Sequence, residues 1–198
     1  MENLYSARNS IYCYPGTSTL INKLNIHDSN KLFNLERQIV LAKSFILRQN
    51  VKNYGFDKQH FLGIHKFLFE DLYPFAGKTR TENISKGEFT FANWEFIDEQ
   101  LDYLLNKLKS ENYLEDLSKE DLSKRLAFYL SELNVLHPFR EGNGRTIREF
   151  IRELAYKNGY VLDLTKNSAK EIFDASVKSV YNTSELEKIL LNCLIKIK

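Results

Sequence analysis

The sequence predicts an all-α chain interrupted by one short β-hairpin. Apolar residues recur at helical spacing in segment after segment. Turn-forming residues are scarce, with 3 prolines and 8 glycines in 198 residues. The helical period disappears only between Thr81 and Phe91. Hydrophobic residues make up 43% and charged residues 27%, an ordinary globular composition that suits a single domain over residues 1–198.

The first helix is expected from Asp28 to about Gln49, with Asp28 or Ser29 as N-cap and Leu32, Leu35, Ile39 and Ile46 facing inward. A second runs from Asp57 to Leu72, burying Phe61, Leu62, His65, Leu68 and Phe69 and stopping before Pro74. In TENISKGEFTF (81–91), Phe89 and Phe91 alternate with polar residues around a turn at Lys86-Gly87, which reads as a hairpin. A third helix covers Glu95 to Leu108 with Ile97, Leu101, Leu104, Leu105 and Leu108 as its stripe. Ser118 opens a fourth that buries Leu122, Leu126, Leu130 and Leu133 and ends where His137 precedes Pro138. The fifth, Gly144 to Lys157, buries Ile147, Phe150, Ile151 and Leu154, with Asn158-Gly159 as its stop. Ser168/Glu171 and Ser184/Glu187 have capping-box spacing for two more. Those two are expected to bury Ile172, Phe173, Val177 and Val180, then Ile189, Leu190, Cys193 and Leu194.

The net charge of +2 and the lack of a basic stripe point away from a direct nucleic-acid partner. No segment has the length of a membrane span, and MENLYSARNSIYCYPG has no apolar leader core. Cys13 and Cys193 have neither metal-type nor disulfide-framework spacing. A cytoplasmic, reducing location with no membrane partner is the expectation.

The chemistry concentrates in HPFREGNGRTIR (137–148). Gly142 and Gly144 flank Asn143 directly before a helix, so backbone N–H groups can face an anion at the positive end of the macrodipole. Arg145 and Arg148 follow, three residues apart on one face. Cations there disfavour a helix by roughly 0.3–1 kcal/mol each, and a bound polyphosphate reverses that sign. Glu141 at the mouth either pairs with Arg140 or Arg145 or holds Mg²⁺ against phosphates. His137 is the one histidine beside this loop and could take a proton from a hydroxyl. A helix C-terminus raises its pKa and nearby arginines lower it, and the sequence leaves that balance open. His27, His60 and His65 read as structural, and Phe139 as an inward anchor for the loop.

Residues 137–148 resemble the complete Fic motif, H-x-F-x-[DE]-G-N-G-R-x-x-R. IHKFLFEDLYPFAG (64–77), NISKGEFTFA (83–92) and YCYPGTSTLINKLNI (12–26) are similar to other segments of bacterial Fic toxins, so the resemblance spans about Tyr12 to Leu194. It implies a helical Fic fold with a hairpin flap over the active site. It implies transfer of AMP from ATP to a Tyr, Thr or Ser hydroxyl of a target protein, with His137 as general base and Glu141 as ligand of Mg²⁺. The phosphate ligands would be Arg140, Gly142, Asn143, Gly144, Arg145 and Arg148, the two last on the β- and γ-phosphates. The flap residues Asn83, Ile84, Ser85, Lys86, Gly87 and Phe89 would cover the nucleotide and dock the target segment by strand addition.

The toxin branch further implies type II topoisomerase subunits (DNA gyrase or topoisomerase IV) as targets. It also implies a separate antitoxin whose inhibitory helix, [ST]-x-x-x-E-[GN], pairs its glutamate with Arg148. In this chain Thr183-x-x-x-Glu187 is followed by Lys188 and reads as coincidence. The alternatives are a phosphotransferase of the death-on-curing type and a catalytically idle nucleotide-binding module. Gly144 and Arg148 weigh against the first, the intact motif against the second.

Overall fold

The computed structural model describes residues 10–49 and 55–197; the leader reading at residues 1–9 lies outside them. The fold is all-α with two small antiparallel hairpins. Among the described residues seven α-helices run in the order α1 (Ser29–Gln49), α2 (Lys58–Phe69), α3 (Ile97–Ser110), α4 (Lys119–Leu136), α5 (Asn143–Lys157), α6 (Ala169–Lys178) and α7 (Ser184–Cys193). One hairpin, β1 (Ser85–Lys86) with β2 (Phe89–Thr90), lies between α2 and α3. The other pairs β3 (Tyr160–Leu162) with β4 (Leu194–Lys196).

Helix α5 is at the centre, packed on α4, α2 and β3, and α4 also carries α7 and α3. Its apolar side, Ile147, Phe150, Ile151 and Leu154, is fully buried. The expected stripes of α3 and α4 are buried as well. Local chemistry sets the ends. Asp57 accepts the N–H of His60 at 2.8 Å to open α2, and Ser118 accepts that of Asp121 at 3.0 Å to open α4. Helix α4 stops at His137, which takes the left-handed conformation (φ 48°, ψ 61°) just ahead of Pro138.

Several expectations are corrected. In α1 the buried positions are Leu32, Glu36, Val40 and Leu47, while Ile46 is exposed. The inward stripe therefore passes through a glutamate, which a purely apolar pattern skips. In α6 only Ala175 is fully buried, and Phe173 and Val177 lie on the outer face. The Ser168/Glu171 capping box is present. Ser184/Glu187 is not one: Thr183 is the N-cap residue, and its hydroxyl donates to Glu187 at 2.6 Å. The flap turn is Gly87-Glu88, one residue beyond the expected Lys86-Gly87. Leu194 leaves the last helix for β4, because it pairs with Leu162 across the second hairpin.

Candidate active site

His137 to Gly142 join α4 to α5, and each end of this turn is pinned from behind. Phe139 is fully buried, its ring stacked 3.8 Å from that of His65. Asn143 holds the turn closed: its Oδ1 accepts the N–H of Phe139 at 2.8 Å and its Nδ2 donates to the Phe139 carbonyl at 2.7 Å. The Asn143 side chain is thus spent on the loop, and only its backbone N–H faces an anion position.

His65 supports the loop from α2. Its Nδ1 accepts the N–H of Gly77 at 2.8 Å, so the ring proton is on Nε2, which donates to the Glu141 carbonyl at 3.0 Å. Burial holds its pKa down at about 3, so it stays neutral. The structural reading of His65 fits this placement.

Arg80 supports the other end. Its guanidinium is buried and donates to the carbonyls of His137 (2.9 Å), Leu136 (3.3 Å), Glu82 (2.6 Å) and Ala92 (2.5 Å). It satisfies the last carbonyls of α4 and ties them to both roots of the β1–β2 hairpin. Sequence reasoning missed it, since a lone arginine between two threonines carries no pattern.

His137 is 8% exposed and stacks on Phe91, the residue following β2, with ring centroids 3.8 Å apart. Its Nδ1 lies 3.0 Å from the carbonyl of Asn134. A carbonyl only accepts, so the proton is on Nδ1 and the lone pair on Nε2. Its pKa is lowered to about 3, first by burial and then by Arg80 and Lys86, with the Asn134 carbonyl opposing. The balance left open in the sequence is settled by desolvation, and the cations involved are not those of the motif.

Two neutral buried histidines make a prediction about pH. The unfolded chain takes up these protons near pH 6.5, whereas the folded chain resists them to about pH 3. Their contribution to stability is therefore complete above pH 6.5 and lost as pH falls toward 3. Within that window each histidine removes up to about 1.4 kcal/mol per pH unit. The Glu141 carboxyl, whose pKa is raised, works in the opposite sense and trims the slope. The urea midpoint should fall between pH 6.5 and 5, above the range of ordinary carboxylates, and fall less steeply in His137→Asn. A flat midpoint over that interval would show that the histidines are not held neutral.

At the start of α5, Gly142 adopts φ +83° and makes no side-chain cap to the helix. A Cβ there would lie 2.4 Å from Cζ of Phe69, so only glycine fits. The first amides of α5 are left for another acceptor. The guanidinium of Arg148 folds back over Gly144, with Nη1 3.0 Å from where a Cβ would stand. Among the described residues it makes no hydrogen bond or ion pair. Its pKa is lowered, first by burial and then by Arg145. Arg145 lies over the Phe69 ring (4.7 Å), 2.5 Å from the Glu36 carboxylate and 3.6 Å from that of Glu141. Glu36, also bonded by the Tyr73 hydroxyl, is the buried acid of the α1 stripe. Its phase among Leu32 and Val40 was the signal that could have found it.

Glu141 accepts its neighbour's N–H, that of Gly142, at 2.9 Å. Its pKa is raised by burial and then by Glu36, with Arg145 opposing. Glu36 and Glu141 share the Arg145 guanidinium, and one carboxylate plus phosphates is a common Mg²⁺ set. Among the described residues no group of three or more ligating side chains offers a protein-only metal cage.

Arg140, expected on phosphate, is placed elsewhere. Its side chain is 1% exposed and its Nε donates to Glu82 at 2.8 Å and to Ser10 at 3.5 Å, binding the loop to the N-terminal segment and the flap root. A buried cation so committed is a scaffold group. In the flap, Ile84 is buried as an anchor, and Asn83 accepts the N–H of Trp94 at 3.0 Å. Lys86 reaches over the Phe173 ring of α6 at 4.6 Å. Ser85, Gly87 and Phe89 keep part of the hairpin surface accessible.

The sequence profile of the Fic/DOC family matches residues 55–155. Among curated relatives, the chain is 38% identical over 187 residues to "Protein adenylyltransferase VbhT" of Bartonella schoenbuchensis, covering 94% of this chain and 39% of that protein. It is 36% identical to "Probable protein adenylyltransferase y4lH" of Sinorhizobium fredii, covering 88% of this chain and 90% of that one. Among solved structures, BepC of Bartonella tribocorum with bound AMPPNP superposes with a TM-score of 0.88 at 26% identity, over 94% of this chain and 97% of that one. A Bartonella quintana Fic domain with bound ADP gives 0.90 at 25% identity, over 94% and 95%. The chain spans about two fifths of VbhT but most of y4lH. With the motif, the helical frame and these relatives in agreement, the chain belongs to the Fic/DOC family.

Proposed function

We propose that this chain is a protein adenylyltransferase, moving AMP from ATP to a Tyr, Thr or Ser hydroxyl of another protein. The observation that carries this is a neutral imidazole with its lone pair on Nε2, one turn of chain away from helix amides without a side-chain cap and from Arg148, which makes no ion pair among the described residues. Relatives named adenylyltransferases, and related structures bound to ATP-like nucleotides, support it.

In this reading His137 takes the proton as the target oxygen bonds to the α-phosphorus. The bond from that phosphorus to the bridging oxygen breaks, and the electron pair leaves with pyrophosphate. The amides of Asn143 and Gly144 hold the charge that gathers on the α-phosphate, in a site where water is largely excluded. Arg145 and Arg148 orient the β- and γ-phosphates. Glu141 would hold Mg²⁺, which when bound neutralises phosphate charge. The hairpin edge, rooted by Arg80 and Ile84, registers the target strand.

The proposed partners are a target with an exposed hydroxyl-bearing segment, type II topoisomerase subunits first, and an antitoxin helix whose glutamate takes Arg148. The chain's own Glu187 does not compete for that position, since it accepts from Thr183 and acts on Lys124 of α4. The test is ATP labelled on the α- or the γ-phosphate, incubated with bacterial lysate. Transfer of the α-label alone is expected. Transfer of the γ-label would instead establish phosphotransfer, and neither label moving would leave a nucleotide-binding module.

A further inference from the structure

The His137 imidazole is held by more than the turn that carries it. Its Nδ1–H donates to the Asn134 carbonyl at 3.0 Å, which fixes one edge of the ring but leaves its plane free to tilt about that bond. Phe91 restricts the tilt. The two rings stack with centroids 3.8 Å apart and 22° between their planes. Phe89 meets the Phe91 ring in turn, at 5.2 Å and 77°, so the imidazole ends an aromatic row that begins on β2.

The backbone around Phe91 keeps this register. Its N–H donates to the carbonyl of Ile84, the buried anchor of the hairpin, at 3.2 Å. The N–H of Ala92 donates to the carbonyl of Val135, in the last turn of α4, at 3.3 Å. The Ala92 carbonyl accepts from Nη2 of Arg80 at 2.5 Å, and Nε of the same guanidinium donates to the His137 carbonyl at 2.9 Å. One buried cation therefore clamps the chain beside both stacked rings. Ile84 shows what an aliphatic core anchor of the flap looks like, at 1% exposure. Phe91 is only half-buried, and the imidazole it stacks on is nearly closed off from water.

We propose that Phe91 is a positioning residue for the His137 imidazole, holding the ring plane so that Nε2 faces the attacking hydroxyl. This role rests on the AMP transfer proposed above. A base must come within about 2.6–3.2 Å of the proton it takes, and misplacement by an ångström can cost about 10²-fold. Phe91 touches no reacting atom and acts only through the ring on which it stacks. The neighbouring flap residues proposed to dock the target would govern its affinity, whereas Phe91 governs turnover.

The experiment pairs steady-state α-label transfer with nitrogen NMR of the His137 ring in the chain alone. Phe91→Leu should lower kcat by about 10- to 100-fold with little change in KM for ATP or target. In its spectrum the single Nδ1–H tautomer of wild type should give way to a mixture. The ring should also protonate closer to pH 6.5, because shielding is lost while Arg80 and Lys86, the cations that act on it, remain. Phe91→Tyr keeps a stacked ring and should restore both readouts. Tyr103→Leu, which removes an exposed aromatic from α3, should change neither. Melting temperatures are measured alongside, and Phe91→Met replaces Phe91→Leu if the latter unfolds. A raised KM for the target at unchanged kcat would make Phe91 a docking residue instead. That result, a change in only one of the two readouts, or an equal loss in Phe91→Tyr would overturn the proposal. A wild-type chain that moves no α-label would refute the transfer reading, and the spectrum of Phe91→Leu would still decide whether Phe91 orients the ring.

Discussion

Replacing His137 by asparagine is expected to lower α-label transfer by about 10²–10⁴-fold, the usual contribution of a general base, while nucleotide binding changes little. Asparagine is a sharper substitution than alanine at this position. His137 sits at φ 48°, ψ 61°, a conformation that asparagine tolerates and alanine resists. An amide can also keep a bond to the Asn134 carbonyl, which Nδ1 now makes at 3.0 Å. The variant thus preserves the turn and removes the lone pair on Nε2. Both substitutions remove the ring that stacks on Phe91, but alanine in addition loses the bond to the Asn134 carbonyl and strains the turn. Both variants should bind a non-hydrolysable ATP analogue nearly as wild type does, because the proposed phosphate ligands lie on α5. Labelling by His137→Asn within tenfold of wild type would remove His137 from the chemistry and leave it a structural cap.

The His137 imidazole is a weak base in this conformation, with a pKa near 3 caused mainly by burial beneath Phe91. A triphosphate brought next to the loop would offset Arg80 and Lys86 and raise it. The imidazole is neutral at physiological pH in either case, so the acidic limb of a rate profile, where a base is lost by protonation, should not report a histidine near its ordinary value.

What could be read in the sequence divides along physical lines. The helices α3, α4 and α5 were legible to within about two residues at their ends because an apolar stripe runs along each inward face, as in Ile97, Leu101, Leu104, Leu105 and Leu108. The loop between α4 and α5 stood out as a candidate anion site because glycines and arginines at a helix start contradict what helix stability alone would select. Legibility failed where a partner distant in sequence decides the outcome. Glu36 is inside the core because Arg145, over a hundred residues later, meets it there; its phase between Leu32 and Val40 signals burial, but nothing local names the partner. Arg140 satisfies the motif pattern, yet its side chain belongs to Glu82 at the flap root. Phe173 and Val177 looked like a core stripe, but α6 is applied to the body mainly through Ala175 and Ser179, and the larger residues remain outside. Strand β4 was read into the preceding helix because its pairing with Tyr160 to Leu162 is entirely non-local.

Gly142→Ala should be the most damaging single-methyl change in the chain. Two independent costs meet at this residue. Its φ of +83° is disfavoured for an L-residue by roughly 1–2 kcal/mol. The added Cβ would stand 2.4 Å from Cζ and 2.5 Å from Cε2 of Phe69, a fully buried ring, and overpacking of that kind costs about 1–3 kcal/mol more. Phe69 cannot yield without consequence. It packs against His65 at 4.7 Å and lies beneath the guanidinium of Arg145 at 4.7 Å. His65 in turn holds the Glu141 carbonyl at 3.0 Å. A displaced ring therefore moves the carboxylate proposed to hold Mg²⁺ and the first of the two arginines proposed to bind phosphate together. Nucleotide affinity and transfer should both fall, transfer by about 10²-fold or more, since misplacement by an ångström can cost that much. The melting temperature should drop by about 5–15 °C, given 2–4 °C per kcal/mol for a chain of this size. Gly159→Ala isolates the backbone cost: its φ is +80°, with no atom within 4 Å of the added Cβ. It should lose only the smaller share of stability and retain transfer. Adding Phe69→Leu to Gly142→Ala should recover part of the melting temperature by vacating the space, though not the support for Arg145. Equal behaviour of the two alanine variants would show that the close approach of Gly142 to Phe69 does not govern the site.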